Sequence, residues 1–497
     1  MTAVDREKGG NQVRTPEQVG QSYSAGWVVT ANCLALLAFV ASPGALDLPA
    51  GAASIAAFII VPLLWPQCRP NAFNLLCPAN VALLVFWWQL VLNPLLIGFF
   101  GFSSGSLPAL PSVAAINSAL VLNVVGYAAF CISYSYVRTP GRAGELAHHP
   151  VTDPCLAGGG EGMSLLVVLY AALGLLGLFL AFPSIHAFID FVTDPALQRA
   201  YETQPTTLGT AAANFLRPFL GFALVLAWSL WLSRRRATVP GPAFALVTVG
   251  LILCLVVVNF RYNRGSIAAP LIALAAAYSA HVRRLSLPVV TLASGGLLFV
   301  ALVFGSYRAS TVPMSEFLAS DAEPAVAAGV SGAPELLQVY GSAPQFSAFL
   351  MERNESELSW GRTVLSSALY PVPVVGKPFR ETSGVTVYNM LIYGTPEILD
   401  QVVPYEAEFF LDFHIPGVII GYALLGIVFG HFQRRFETAP HAIETYSWLI
   451  MSVWLIFPGS VPVASQIYVY FLWPIYGYMA LKRLYQPVPA SRAPATA

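Results

Sequence analysis

Two sets of residues in this chain have the types and spacing to do chemistry, one cationic and one acidic. In the stretch Asn259-Phe-Arg-Tyr-Asn-Arg-Gly-Ser266, Arg261 and Arg264 stand three apart, so on a helix they share one face. A guanidinium presents a planar fork of donors suited to phosphate oxygens, and Gly265-Ser266 at a helix start leaves backbone N–H groups for an anion. Such a pair could hold a diphosphate; the plainer alternative is two arginines snorkelling to lipid headgroups. Arg308, in Gly-Ser-Tyr-Arg-Ala, is a third cation beside an apolar run, a ligand or an interface anchor. Arg217, in Asn-Phe-Leu-Arg-Pro, interrupts another such run, where an ionisable group is costly and faces a cavity or a partner. Its alternative role is to serve the carbonyls that Pro218 frees. The run Tyr370-Pro-Val-Pro-Val-Val-Gly-Lys-Pro-Phe-Arg-Glu381 presents Lys377, Arg380 and Glu381 from a backbone that its prolines stiffen.

The acidic set lies in Pro404-Tyr-Glu-Ala-Glu-Phe-Phe-Leu-Asp-Phe-His-Ile-Pro-Gly417. Glu408 and Asp412 fall one helical turn apart, with His414 beyond them, and any of the three at the mouth of a cavity is a candidate general base. The structural alternative is a cap and dipole partner at a helix N-terminus. Tyr405, Glu406 and Glu381 are the neighbouring candidates for contacts to a substrate.

The elements that must position these residues are membrane spans. The chain is 56% hydrophobic and 10% charged, with mean hydropathy +0.66, against roughly 25% charged for a soluble domain. A span needs roughly 20 apolar helical residues, and the apolar runs predict an all-α integral membrane protein of about 12 transmembrane helices. These begin near Trp27, Ala50, Ala79, Ser112, Met163, Leu208, Pro242, Ser266, Leu287, Phe409, Thr445 and Val463. Basic residues collect on cytoplasmic span ends. With both termini inside, 16 of the 25 Lys and Arg but 8 of the 25 Asp and Glu are cytoplasmic; the opposite orientation inverts both biases.

This N-in, C-in reading divides the chain into a cytoplasmic tail (1–25), nine spans (26–304), a large extracytoplasmic loop (305–408), three spans (409–481) and a second tail (482–497). The spaced apolar residues from Glu335 to Met351, broken by Pro344, predict interfacial helices in the loop and so an ordered cap. Net charge is zero, so nothing points to nucleic acid. The six cysteines lie in apolar runs or cytoplasmic loops, which disfavours a disulfide framework or a metal cluster. There is no P-loop, GxSxG or HExxH, so ATP hydrolysis, serine hydrolysis and zinc proteolysis are disfavoured.

Several features together resemble the bacterial O-antigen polymerase family, the oligosaccharide repeat-unit polymerases. They are an Arg264-Gly265 at the outer end of a span, a late outer loop with Gly376-Lys-Pro, and Glu408-Phe-Phe-Leu-Asp-Phe-His-Ile-Pro-Gly417 opening the next span. The family shows a Glu-x-x-x-Asn-Phe-Gly-x-x-Gly pattern there; this chain has Asp412 and His414 in place of the Asn and first Gly. The resemblance covers roughly residues 259–430. It implies a metal-independent, inverting glycosyltransferase of GT-C type, without a cofactor, in the cytoplasmic (inner) membrane with its site facing outward. Its substrate would be an undecaprenyl diphosphate-linked oligosaccharide, passed to a second lipid-linked unit, with membrane lipid and a chain-length regulator protein as further partners. Arg217, Arg261, Arg264, Arg308, Lys377 and Arg380 would then hold the diphosphate, and Glu408, Asp412 or His414 would deprotonate the acceptor. An O-antigen ligase would share the donor site, and a secondary transporter is the alternative from another class.

Overall fold

The computed structural model describes residues 29–69, 75–102, 109–138, 160–194, 208–234, 242–258, 264–296, 344–353, 358–396 and 403–485, apart from a few single positions. Among these residues the protein is helical, without a strand. Among the described residues five helices are long and apolar enough to cross a membrane: Pro78–Phe100, Val113–Arg138, Met163–Ala181, Gly209–Ser233 and Tyr405–Glu437. Five shorter apolar helices accompany them. The protein is a multi-pass helical membrane protein by length and composition of these elements.

In chain order the helices used below are α1 (Val29–Val40), α2 (Pro49–Leu64), α3 (Pro78–Phe100), α4 (Val113–Arg138) and α5 (Gly160–Ala181). They continue with α6 (Ile185–Thr193), α7 (Leu208–Arg234), α8 (Pro242–Val258) and α9 (Arg264–His281). The cap region supplies α10 (Pro344–Glu352), α11 (Arg362–Leu369) and α12 (Gly384–Tyr393). Last come α13 (Tyr405–Glu437), α14 (Ala442–Ile456), α15 (Val461–Tyr470) and α16 (Trp473–Tyr485). Proline stands in the first turn of α2, α3 and α15, where its missing N–H costs nothing.

The central pair is α4 and α13, which run side by side in the same direction. Gly126 lies under the Tyr422 ring, Gly426 against Phe130 and Ser133, and Gly430 against Val137. At the end of both helices Arg138 meets Glu437 at 2.6 Å. Small residues let helix backbones approach without lipid-filled gaps. A Cβ on Gly426 would strike the Phe130 carbonyl, which is backbone and cannot swing away. Gly426→Ala is therefore expected to destabilise the protein by about 1–3 kcal/mol, read as a lowered melting temperature in detergent; an unchanged value would mean that α4 and α13 are not in close contact. A second pair, α5 and α7, is antiparallel, with Gly174 against Leu220 and Gly177 against the backbone of Leu216 and Arg217.

The helix α13 is not one straight rod. Phe413 (φ −142°, ψ 18°) and His414 (φ 54°, ψ −142°) leave the helical region, and the chain doubles back there. Tyr422 Oη donates to Glu406 Oε2 at 2.9 Å, whereas 16 residues of straight helix would separate the two by about 24 Å. The short arm, 405–412, packs antiparallel on the long arm, 415–437, with the Phe409 ring laid on Gly421. The long arm alone is about 34 Å at 1.5 Å per residue, enough to span a bilayer. The boundary placed between Glu408 and Phe409 from sequence thus falls inside a short folded-back helix, and the spanning run starts near Ile415.

Part of the 305–408 loop lies outside the described residues, Arg308 included. What is described of it is ordered. Phe346, Phe349, Leu350, Val385, Tyr388 and Ile392 form a small core with Leu107, Val403, Ala407 and Leu411. The prediction of interfacial helices needs correction at α10, where residues 344–350 are all buried. This helix packs on α4, and Glu352 accepts a hydrogen bond from the Ser112 amide at 2.8 Å. Spaced apolar residues mark one buried face, but here Gln345 and Ser347 are buried as well.

Candidate functional site

The short arm of α13 carries three buried carboxylates: Glu406 and Glu408 are 0% exposed and Asp412 is 1% exposed. An unpaired carboxylate is costly to bury, so each needs a compensating partner. Asp412 finds one in α11. Its Oδ1 accepts from the Thr363 amide at 3.1 Å and its Oδ2 from the Val364 amide at 2.9 Å. The helix α11 follows Trp360 and Gly361, both at positive φ (53° and 82°), and Gly361 has no side chain with which to cap it. Asp412 serves as its N-cap from another part of the chain, and the Trp360 amide donates to the Asp412 carbonyl at 3.1 Å.

Glu408 meets two more helix starts. Its carboxylate presses on Gly384, the first residue of α12, closely enough that a Cβ there would collide with it. The Ser367 hydroxyl and the Val461 backbone at the start of α15 are its other polar neighbours, and its charged neighbour is Asp412, of the same sign. Among the described residues, neither Glu408 oxygen accepts a hydrogen bond of ordinary geometry. The partial positive charge at the two helix N-termini offsets only part of the cost of its burial. Glu406 points the other way, into the bundle, bonded to Tyr422 and beside Ser347. Tyr422 in turn lies beside Gln89, in the π-helical turn Trp88–Leu92 of α3, a kind of irregularity common at functional sites.

The turn that presents the predicted cations is stitched to this site. Ser366 and Ser367 of α11 bond Thr382 Oγ1 and the Gly384 amide, both at 2.8 Å. The Arg380 carbonyl accepts from Ser383 Oγ at 2.8 Å and Thr386 Oγ1 at 2.7 Å. Lys377, Arg380 and Glu381 themselves are exposed. Of the predicted residues, then, Glu408 and Asp412 on the short arm are buried against α11 and α12, and Lys377, Arg380 and Glu381 lie on the turn that joins those two helices. Tyr405 is buried, its amide donating to the Gly459 carbonyl at 2.7 Å and its hydroxyl to the Leu455 carbonyl, so it fixes the arm to α14.

The others stand apart. His414 forms the turn of α13, its ring edge-on to Phe410 at 4.8 Å. Arg217 is buried on α7, its guanidinium over the Phe182 ring at 5.6 Å, on a different helix pair. Arg264 opens α9, but its side chain, like Arg261 and Arg308, lies outside the described residues. The expectation that Glu408 and Asp412 stand at the mouth of a cavity is corrected: both are enclosed by the cap helices.

Sequence reasoning missed Ser367, Gly384 and Tyr422, which are unremarkable until the chain folds back. One signal was available. Pro416 disfavours a helical Ile415 and suits the first turn of a new helix, which marks a break just after His414. No protein-family model, curated protein or solved structure matches this chain, so its functional reading rests on these residues.

Proposed function

We propose that this protein is a membrane-embedded glycosyltransferase that polymerises lipid-linked oligosaccharide units, with about twelve spans, both termini in the cytoplasm and the cap on the outer face of the inner membrane. The observation that carries the reading is the placement of Glu408: a buried carboxylate on a folded-back arm, against Gly384, four residues from the exposed Arg380. In this reading Arg380 and Lys377 neutralise the diphosphate of the leaving group as charge develops on it. Glu408 takes the proton of the acceptor hydroxyl once the cap opens. The ordered cap, with its own small core, supplies the walls that exclude water.

The test is the reaction itself. Purified protein in lipid, given an undecaprenyl diphosphate-linked repeat unit, is expected to produce a ladder of glycan lengths that survives a chelator, and Arg380→Ala is expected to abolish the ladder while insertion stays normal. A ladder of normal length in Arg380→Ala would remove that residue from the diphosphate site. Transfer only after adding a lipid A core acceptor would make the protein a ligase.

A second reading has its own support. The short arm of α13 and the break at Gly459 between α14 and α15 place interrupted helices beside a buried carboxylate, as in secondary transporters. Solute uptake into vesicles without sugar transfer would favour it.

A further inference from the structure

At the opposite end of the bundle from the cap, α9 and α13 finish and α14 begins around a cavity of about 430 Å³. His281, Arg283, Arg284, Gln433, Glu437 and Thr445 line it. It is built from fixed parts. The Ser279 hydroxyl accepts the Leu285 amide at 3.3 Å, and the Val282 and Arg283 amides both return to the Tyr278 carbonyl at 2.9 and 3.2 Å, which sets the turn carrying the two arginines. His281 Nε2 and Thr445 Oγ1 lie 2.8 Å apart and join α9 to α14. Gln433 accepts from the Ala79 amide at 3.0 Å and donates to Glu437 at 2.9 Å, which fixes the third wall.

Among the described residues the charge around this cavity is mostly basic. Arg138, Arg283, Arg284, Arg434, Arg435 and Lys482 gather at this end, and the two carboxylates described with them are each held in an ion pair, Glu437 with Arg138 and Glu444 with Lys482. The carbonyl ends of α9 and α13 contribute about half a negative charge each, and Arg283 and Arg284 each bring a full positive one. Guanidinium groups match the geometry of phosphate oxygens. A volume of this size suits a small molecule or a headgroup, and basic pockets between membrane helices are suited to anionic lipid headgroups.

We propose that this cavity binds a phosphate-bearing anion, an anionic phospholipid headgroup or a soluble phosphate, through Arg283 and Arg284. The site is independent of the cap and of the reaction assigned to it. The test uses the full-length protein in detergent, with short-chain phosphatidylglycerol, short-chain phosphatidylcholine and inorganic phosphate as probes and the melting temperature as readout. Phosphatidylglycerol should raise the melting temperature saturably, phosphatidylcholine should not, and the double variant R283Q/R284Q should bind phosphatidylglycerol about tenfold or more weakly, having lost two charge-assisted contacts. Ala439→Trp fills the cavity from its rim and leaves every arginine in place; it should give the same loss and keeps the test open if the double variant does not fold. Saturation by inorganic phosphate alone, lost in the same variants, assigns the site to a soluble phosphate. No saturable shift with any probe, an equal shift with phosphatidylcholine, or undiminished binding in the variants overturns the proposal.

Discussion

Glu408→Gln is expected to leave the protein folded and cost about 10²–10⁴ in the rate of glycan transfer, the range for removal of a positioned acid or base. Glutamine has the same shape and cannot take up a proton, so the packing on Gly384 is kept and no carboxylate has to be desolvated. Stability should hold or rise. The measurement is the single-turnover rate beside the melting temperature of the same preparation. Full activity in Glu408→Gln would show that Glu408 is a strut between the arm and the cap and that another group takes the proton.

Asp412 should behave in the opposite way. Asp412→Ala removes the acceptor from two amides at the start of α11, and each buried N–H left unmatched costs about 1–3 kcal/mol. The whole change is expected to destabilise the cap by about 2–4 kcal/mol. Protease sensitivity between α10 and α12 and a lowered melting temperature would report it. Asp412→Asn keeps one oxygen acceptor and should lose roughly half as much. A stable Asp412→Ala variant that has lost transfer would reverse the two assignments, making Asp412 the chemical group and Glu408 the support.

This contrast shows where the sequence was legible. Hydropathy alone located the long apolar helices, because a bilayer imposes length and apolar character on each of them. The carboxylates of the candidate site were visible as types and spacings, and one turn of separation between Glu408 and Asp412 is what lets both face the cap. Their different partners were not visible. Whether a carboxylate caps a helix or waits for a proton depends on which backbone amides arrive beside it, and those of Thr363 and Val364 come from about fifty residues away. Charge counting also treats every arginine alike, yet Arg380 sits on the turn beside the site while Arg217 is spent on an aromatic face elsewhere. The apolar run through residue 413 conceals the turn for a related reason. Hydropathy averages over a window and is blind to two torsion angles, and only Pro416 betrays them.

The turn at Phe413–His414 makes the short arm a tie rod. One end is anchored in the membrane body, where Tyr405 is bonded to Gly459 and Leu455; the other is anchored in the cap, where Asp412 is bonded to α11. The cap cannot lift from Glu408 without rotating that rod about its two joints or breaking one of them. Tension from anything that displaces α11 therefore arrives at the junction of α14 and α15, and a load on the cap would be felt in the spacing of helices well below it.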